Sequence, residues 1–198
     1  MKDKIVSKAS SMFLKLGFKS VTMDDIATEM GISKKTIYKF FDNKELLIAA
    51  ASATIHTEVH QIIADIVAQN FNAIAENFEI RKMFKEMFKA SETSPIYQLR
   101  KHYPSIYEEV INRETSECNK IFFQNIQKGI SQKLYRKDLN IDTCVRFYYA
   151  LIFSINGSVV SEKEVLQLEL EALEYHTRAM ATPKGIQELE NQLANPNI

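Results

Sequence analysis

Cationic and hydroxyl side chains between Thr22 and Lys44 are the residues best suited to chemistry in this sequence. The candidate set is Thr22, Ser33, Lys34, Lys35, Thr36, Tyr38, Lys39 and Lys44. Ammonium and hydroxyl groups donate hydrogen bonds to phosphate oxygens, and the N–H groups at a helix N-terminus do the same. A single surface lysine is usually only solvated, but this combination predicts a phosphate-binding face, with nucleic acid as the partner.

Two short helices are needed to position these side chains. Thr22 starts the first, with Asp25 placed for a capping box, and Gly31 ends it about eight residues later. Ser33 is the natural N-cap of the second, predicted over 34–41. Two short helices that meet at a glycine match a helix-turn-helix, whose second helix enters the major groove of DNA.

The rest of the chain predicts further helices and no strands. Gly and Pro are scarce, at five and four residues, and apolar residues recur at helical spacing. We predict a first helix over 2–16 and a fourth that runs from Lys44 for about 25 residues. Later helices are predicted over about 73–90, after Pro95, over 104–128 with an end at Gly129, over 142–159 and over 163–180, with a short C-terminal piece after Pro183. The expected fold class is all-α.

Charge is distributed unevenly although the formal net charge is zero. Residues 1–45 carry nine Lys against six Asp and Glu, whereas residues 159–198 carry three basic residues against seven acidic ones. An anionic partner is therefore expected at the N-terminal end. No uninterrupted apolar segment approaches the roughly 18 residues of a membrane span, so we expect a soluble cytoplasmic protein. Cys118 and Cys144 match no ligand spacing and are expected to be reduced thiols.

Residues 5–48 resemble the N-terminal domain of tetracycline-repressor (TetR) family regulators. The resemblance rests on Phe18 after Gly17 and on the runs T-M-D-D-I-A, G-I-S, T-I-Y-x-F-F and N-K-E-L-L. It implies a helix-turn-helix DNA-binding domain over 1–45 and an all-helical ligand-binding and dimerisation domain over 46–198.

The resemblance also implies roles for single residues of the DNA-binding domain. The hydroxyls of Thr22, Thr36 and Tyr38 would bind phosphate, and Lys44 would clamp the backbone. The remaining lysines, Lys34, Lys35 and Lys39, would face base edges or nearby phosphates.

Two positions depart from the family pattern. Lys35 stands where a small residue or proline is frequent, and a lysine there can donate to guanine O6 and N7. Phe40 stands where Tyr or His is common. Because Phe has no hydroxyl, we leave Phe40 out of the DNA contacts and expect it to pack inward with Ile37.

The body resembles the same family more weakly, over 129–140 and 176–186. In the family the last two long helices form a four-helix dimer interface, here about 142–159 and 163–180. The resemblance therefore implies a homodimer that reads a palindromic operator. Residues suited to close helix contact are Gly157, Val159, Val160, Val165, Leu166, Leu168, Leu170 and Leu173. The alternative is that these residues pack within one chain.

Aromatic and Met residues crowd the body, where the family places an inducer cavity. They are Phe78, Phe84, Met87, Phe88, Tyr103, Phe122, Phe123, Phe147, Tyr148, Tyr149 and Phe153. The candidate ligand-binding residues are Phe84, Phe88, Phe122 and Tyr149, and the alternative is an ordinary core. The resemblance implies that a small-molecule inducer tilts the fourth helix and moves the two DNA-binding domains away from half-site spacing.

Two other functional classes compete with this interpretation. His56 and His60 have an i, i+4 spacing that can hold zinc, but H-T-E-V-H is not the metalloprotease H-E-x-x-H and no third ligand follows. With no phosphate loop or nucleophile elbow, we expect neither an enzyme nor a cofactor. A helical adaptor that binds protein would leave the lysines of the third helix unexplained.

Overall fold

The computed structural model describes residues 1–88, 93–159 and 161–195, except for the side chains of residues 114 and 116–118. The described residues form ten α-helices and no strand. The helices are α1 Lys2–Leu16, α2 Met23–Glu29, α3 Lys34–Tyr38, α4 Lys44–Ala68, α5 Ala73–Phe88, α6 Pro95–His102, α7 Pro104–Ser131, α8 Ile141–Ser158, α9 Glu162–Met180 and α10 Pro183–Leu193. The all-α expectation is confirmed. Among the described helices, none is long and apolar enough to cross a bilayer.

The first three helices and the start of α4 surround one apolar core, here called the head. Ile5, Phe13, Ile26, Ile37 and Leu47 are fully or almost fully buried in it. Their spacing gives each short helix one apolar face, and burying these faces together stabilises helices too short to persist alone. The head is therefore a three-helix unit completed by the N-terminal turns of α4.

Helix α4 runs without interruption from the head into the body. Ile48 and Ala51 belong to the head core, whereas Val59, Ile63 and Ile66 are buried farther along the same helix. The core of the head thus extends beyond residue 45, and the domain boundary at that residue stays a prediction. A rigid helix shared by both parts can transmit a tilt from the body to the head.

A second apolar core holds α5, α7, α8, α9 and α10 together, and polar groups are buried beside it. Asn125 donates to Glu76 at 2.7 Å, and Lys128 donates to the other oxygen of Glu76 at 2.6 Å. Asn77 donates to Asn125 at 3.0 Å. The buried carboxylate thus has partners on α7, which fixes how α5 packs against that helix.

Three predicted helix ends differ from the structure or lie outside the described residues. Helix α3 ends at Tyr38 rather than at residue 41, and residues 89 and 90 of the predicted fifth helix are not described. Helix α7 continues through Gly129 to Ser131. An ideal Cβ at Gly129 would lie 2.1 Å from a ring carbon of Tyr135. Glycine is needed there because the Tyr135 ring packs against the helix backbone, and it does not end the helix.

Candidate nucleic-acid interface and internal cavity

The turn between α2 and α3 is built by local hydrogen bonds and one left-handed residue. Gly31 has φ 63°, a conformation that side chains other than Gly and Asn rarely adopt. The Ser33 side chain accepts a hydrogen bond of 3.2 Å from the backbone N–H of Thr36, which caps α3. The predicted helix-turn-helix is confirmed, with Ser33 as the N-cap of its second helix.

Helix α3 presents a cationic and hydroxyl-bearing surface to solvent. The side chains of Lys35, Tyr38 and Lys39 are exposed, while Ile37 turns into the head core. Lys34 donates to Asp24 on α2 at 2.7 Å, but both side chains remain largely exposed. Such exposed ion pairs contribute little to stability, so a phosphate can replace the carboxylate as the partner of Lys34.

Besides Lys34, four candidate residues already hold partners within the chain: Thr22, Ser33, Thr36 and Lys44. The Thr22 hydroxyl accepts from the backbone N–H of Asp25 at 3.1 Å, and the Asp25 carboxylate accepts from the backbone N–H of Thr22 at 2.8 Å, which completes the predicted capping box. The backbone N–H and the hydroxyl of Thr22 both donate to the Asp25 carboxylate and lower its pKa. The Thr36 hydroxyl lies 2.9 Å from the hydroxyl of Ser33. Lys44 donates to the carbonyl of Lys19 at 3.0 Å, and partial burial lowers the pKa of its ammonium.

The expectation for Phe40 was wrong. Its side chain is 40% exposed, whereas Ile37 and Phe41 are buried. The physical reason is the early end of α3. The backbone N–H of Phe40 bonds to the carbonyl of Ile37 at 2.9 Å, and this tighter turn directs Phe41 inward in place of Phe40. Phe40 therefore adds an apolar ring to the exposed surface beside Tyr38.

Helix α6 connects the head to the body. Leu99 is buried in the head core, and the Tyr103 hydroxyl donates to the carbonyl of Phe18 at 3.4 Å. On its other side Arg100 donates to the carbonyl of Gly157 on α8 at 2.7 Å. A displacement of α6 would therefore move contacts in both the head and α8.

An internal cavity of about 250 Å³ lies between the helices of the body and reaches α6. All four candidate ligand-binding residues line it: Phe84, Phe88, Phe122 and Tyr149. Most other lining residues are apolar, including Ile55, Val59, Ile63, Ile80, Pro95, Ile96, Leu99, Val110, Ile111, Ile121, Ile152, Phe153 and Leu173. Other aromatic residues that the sequence analysis considered for the cavity lie outside it. Phe78 lies in the body core, Tyr103 beside the head, and Phe147 on the surface.

Charged groups also line the cavity, and sequence reasoning missed them. Arg81, Glu162 and Glu169 all contribute to its wall. Asn156 donates to Glu169 at 2.6 Å, and Arg81 donates to the carbonyl of Leu166 at 3.0 Å. Burial raises the pKa of Glu169, and burial together with the charge of Glu169 raises the pKa of Glu162 to about 7. Acidic residues are common on exposed helix faces, so no sequence signal distinguished these two.

The histidine pair remains without a ligand set. The rings of His56 and His60 lie 4.3 Å apart edge to face, and His56 lines the cavity. Within the described part of the chain, no group of three His, Cys, Asp or Glu side chains is arranged to hold a metal ion. Cys144 is a half-buried free thiol whose pKa is raised by burial, and the side chain of Cys118 lies outside the described residues.

The two long helices near the C-terminus expose an apolar surface. Phe147 and Leu151 on α8 and Tyr175 on α9 are exposed, Phe147 at 67% and Tyr175 at 72%. Spacings of four residues place Phe147 and Leu151 on one face of α8. We call these three residues the α8–α9 face.

Several residues that the sequence placed at this interface pack within the chain. Val165 and Leu173 are buried, and Gly157 is buried where an ideal Cβ would lie 2.8 Å from Arg100. Leu166, Leu168 and Leu170 are half-buried, as is Val159, and Val160 lies outside the described residues. The alternative of intrachain packing therefore applies to Val165, Leu173 and Gly157.

Known proteins share the head and the overall fold. Residues 5–51 match the family described as bacterial regulatory proteins, tetR family. The biofilm operon icaADBC HTH-type negative transcriptional regulator IcaR of Staphylococcus aureus (strain Newman) is 24% identical over 136 residues, covering 68% of this chain and 67% of IcaR.

Two solved structures show the same fold. A transcriptional regulator from Cytophaga hutchinsonii superposes with a TM-score of 0.73 at 18% identity, covering 91% of this chain and 98% of that one. Thermus thermophilus FadR, a TetR family repressor in complex with lauroyl-CoA, superposes with a TM-score of 0.59 at 14% identity, covering 92% and 96%. The capped helix-turn-helix and the family match lead to one conclusion: residues 5–51 form a DNA-binding head of the tetR type, on a chain that shares the overall fold of these regulators.

Proposed function

We propose that the chain is a homodimeric repressor that binds a palindromic operator and is released by a small molecule in its internal cavity. The observation that carries this proposal is the Ser33-capped α3, which presents Lys35, Tyr38 and Lys39 to solvent at the edge of a matched tetR-type head. A regulator of this kind acts in the cytoplasm, where bacterial DNA lies.

The α8–α9 face supports the homodimer. Phe147 and Leu151 on α8 and Tyr175 on α9 expose large apolar side chains that a monomer would leave in water, and exposed apolar surface favours protein contacts. A second copy of the chain, related by a twofold axis, would bury the same face on both subunits. Two recognition helices would then meet half-sites on one side of the duplex, which requires an inverted repeat.

The cavity and α6 support release by a small molecule. Pro95, Ile96 and Leu99 of α6 line the cavity, and Leu99 also packs in the head core. A ligand that fits only one position of α6 would favour one orientation of the head. The lauroyl-CoA complex of FadR and the negative regulation in the name of IcaR are consistent with a ligand-released repressor.

Selection of bound sequences from a random duplex library by the full chain would test the proposal. We expect enrichment of an inverted repeat and a protein-to-duplex ratio of two to one. Lys35→Ala/Lys39→Ala should lose this enrichment, whereas Lys137→Ala/Lys163→Ala removes two exposed lysines of the body and should keep it. Failure of the wild-type chain to enrich any sequence would refute the proposal.

A further inference from the structure

The cavity is lined by two carboxylates, Glu162 and Glu169, and by one guanidinium, Arg81, and these groups are unevenly paired. Glu169 accepts a hydrogen bond from Asn156 at 2.6 Å and interacts electrostatically with Arg81. Arg81 is further held by its 3.0 Å bond to the carbonyl of Leu166. One arginine and one amide therefore compensate Glu169 and leave the second carboxylate, Glu162, without a matching positive charge.

Glu162 is buried but incompletely paired. Its residue surface is only 3% exposed, and its Oε2 accepts no hydrogen bond from any residue in the described ranges. It lines the same cavity as Glu169, whose charge repels it. A buried carboxylate with an unpaired oxygen is costly, and such groups are candidates for a site that a ligand completes.

The aromatic wall of the same cavity suits a cation with an apolar body. The ring of Phe122 lies 5.4 Å from that of Tyr149, and the ring of Tyr149 lies 5.5 Å from that of Phe153. All three rings line the cavity. Aromatic faces attract organic cations and also accept apolar groups, so they do not repel either part of such a molecule.

We propose that the cavity binds a monovalent organic cation with an apolar body, whose ammonium group pairs with the Glu162 carboxylate while the body contacts the aromatic wall. This inference rests on the proposed function in taking the cavity as the effector site. Nε of Arg81 also lacks a hydrogen-bond partner among the described residues, which makes an anionic ligand the competing outcome. His56 is the remaining basic side chain of the lining, on α4.

Three probes with one eight-carbon chain separate these outcomes: octyltrimethylammonium, octanol and octanoate, which are cationic, neutral and anionic. Calorimetric titration of the full-length protein should give a Kd for the cation at least about tenfold lower than for octanol, equivalent to about 1.4 kcal/mol. Octanoate should bind more weakly than octanol. The cation should also release the protein from its selected operator.

Glu162→Gln keeps the shape of the side chain and removes its charge. It should weaken binding of the cation by about tenfold and leave octanol unchanged. Glu164→Gln is the matched control, because Glu164 is exposed on the same helix, and it should behave as wild type. A preference for octanoate, equal binding of cation and octanol, or a cation preference that survives Glu162→Gln would overturn the inference.

The same data separate this inference from the proposed function. If octanol or octanoate binds and releases DNA while the cation is not preferred, the cavity remains the effector site and only the ligand class is wrong. If none of the three probes binds although the operator is bound, both the cation inference and the effector role of the cavity fail, and DNA binding stands.

Discussion

Lys44 Nζ lies 5.9 Å from the ring centroid of Tyr103 and donates a 3.0 Å hydrogen bond to the carbonyl of Lys19. The first residue of α4 is therefore attached both to the head and to the junction of α6 and α7. Tyr103 adds its own hydrogen bond to Phe18 in the head. The position of this lysine thus depends on the body of the protein as well as on the helix-turn-helix.

Lys44→Ala should weaken binding to all DNA sequences and reduce the log–log salt slope by about one, because it removes one lysine–phosphate contact. Tyr103→Leu is the matched control, since it removes the ring but leaves the charge. It should weaken binding with the slope unchanged. Titrations on specific and scrambled duplexes over a salt series measure both, and an unchanged slope for Lys44→Ala would exclude the phosphate contact.

Lys35→Ala should change base preference, because Lys35 is exposed on the recognition helix and can donate to guanine. The discrimination lost at the affected base pair should be about 1–3 kcal/mol. Competition among single-base variants of the operator measures it.

Tyr38→Phe should instead weaken binding uniformly, because its hydroxyl is predicted to contact phosphate and phosphate contacts carry no direct sequence information. In the same competition series, the affinities for all operator variants should fall by one common factor. A change confined to one base pair would assign Tyr38 to base readout.

Stability should fall as pH rises towards neutrality because of Glu162. Its pKa is raised from 4.5 to about 7, so the folded protein binds the additional proton between these values and the stabilisation is lost as pH rises through that window. Glu162→Gln should lack this loss, and its Tm relative to wild type should rise by a few degrees between about pH 5 and about pH 8.

His176 acts in the opposite direction, since burial lowers its pKa from 6.5 to about 4 and stability is lost as pH falls through that range. The His176 contribution cancels in the Tm difference between wild type and Glu162→Gln, because both proteins carry His176. A Tm difference between Glu162→Gln and wild type that stays constant at all pH values would contradict the assignment to Glu162.

Gly129→Ala should destabilise the body by about 1–3 kcal/mol, because the added Cβ would overlap the ring of Tyr135. Chemical denaturation of the single variant measures the loss. In a Tyr135→Ala background the same substitution should cost much less, since the ring is gone. An equal cost in both backgrounds would show that the close approach is not the cause.

Phe147→Glu should convert a dimer to a monomer, because a carboxylate placed in the α8–α9 face would be buried without a partner. Val67→Glu is the control, since Val67 is as exposed as Leu151 but lies on α4, which is not part of that face. Sedimentation velocity distinguishes the two states. A Phe147→Glu variant that remains dimeric would place the interface elsewhere.

Local sequence determined the head of this protein. The capping residues Thr22 and Ser33, the turn glycine Gly31 and the run T-I-Y-K-F-F-D-N-K were enough to predict the helix-turn-helix and most helix bounds, because these signals act between residues close in the chain. Four of the aromatic residues that line the cavity, Phe84, Phe88, Phe122 and Tyr149, were also named as candidates, although their place came from a resemblance and not from spacing.

Only the tertiary structure decided the contacts between distant segments. It turned Phe41 inward in place of Phe40, packed Gly129 against Tyr135, and brought Glu162 and Glu169 into one cavity with Arg81. A helical pattern states which face a residue occupies but not which helix covers that face. For this reason the charged lining of the cavity could not be predicted from the sequence, since it depends on how α5, α8 and α9 pack together.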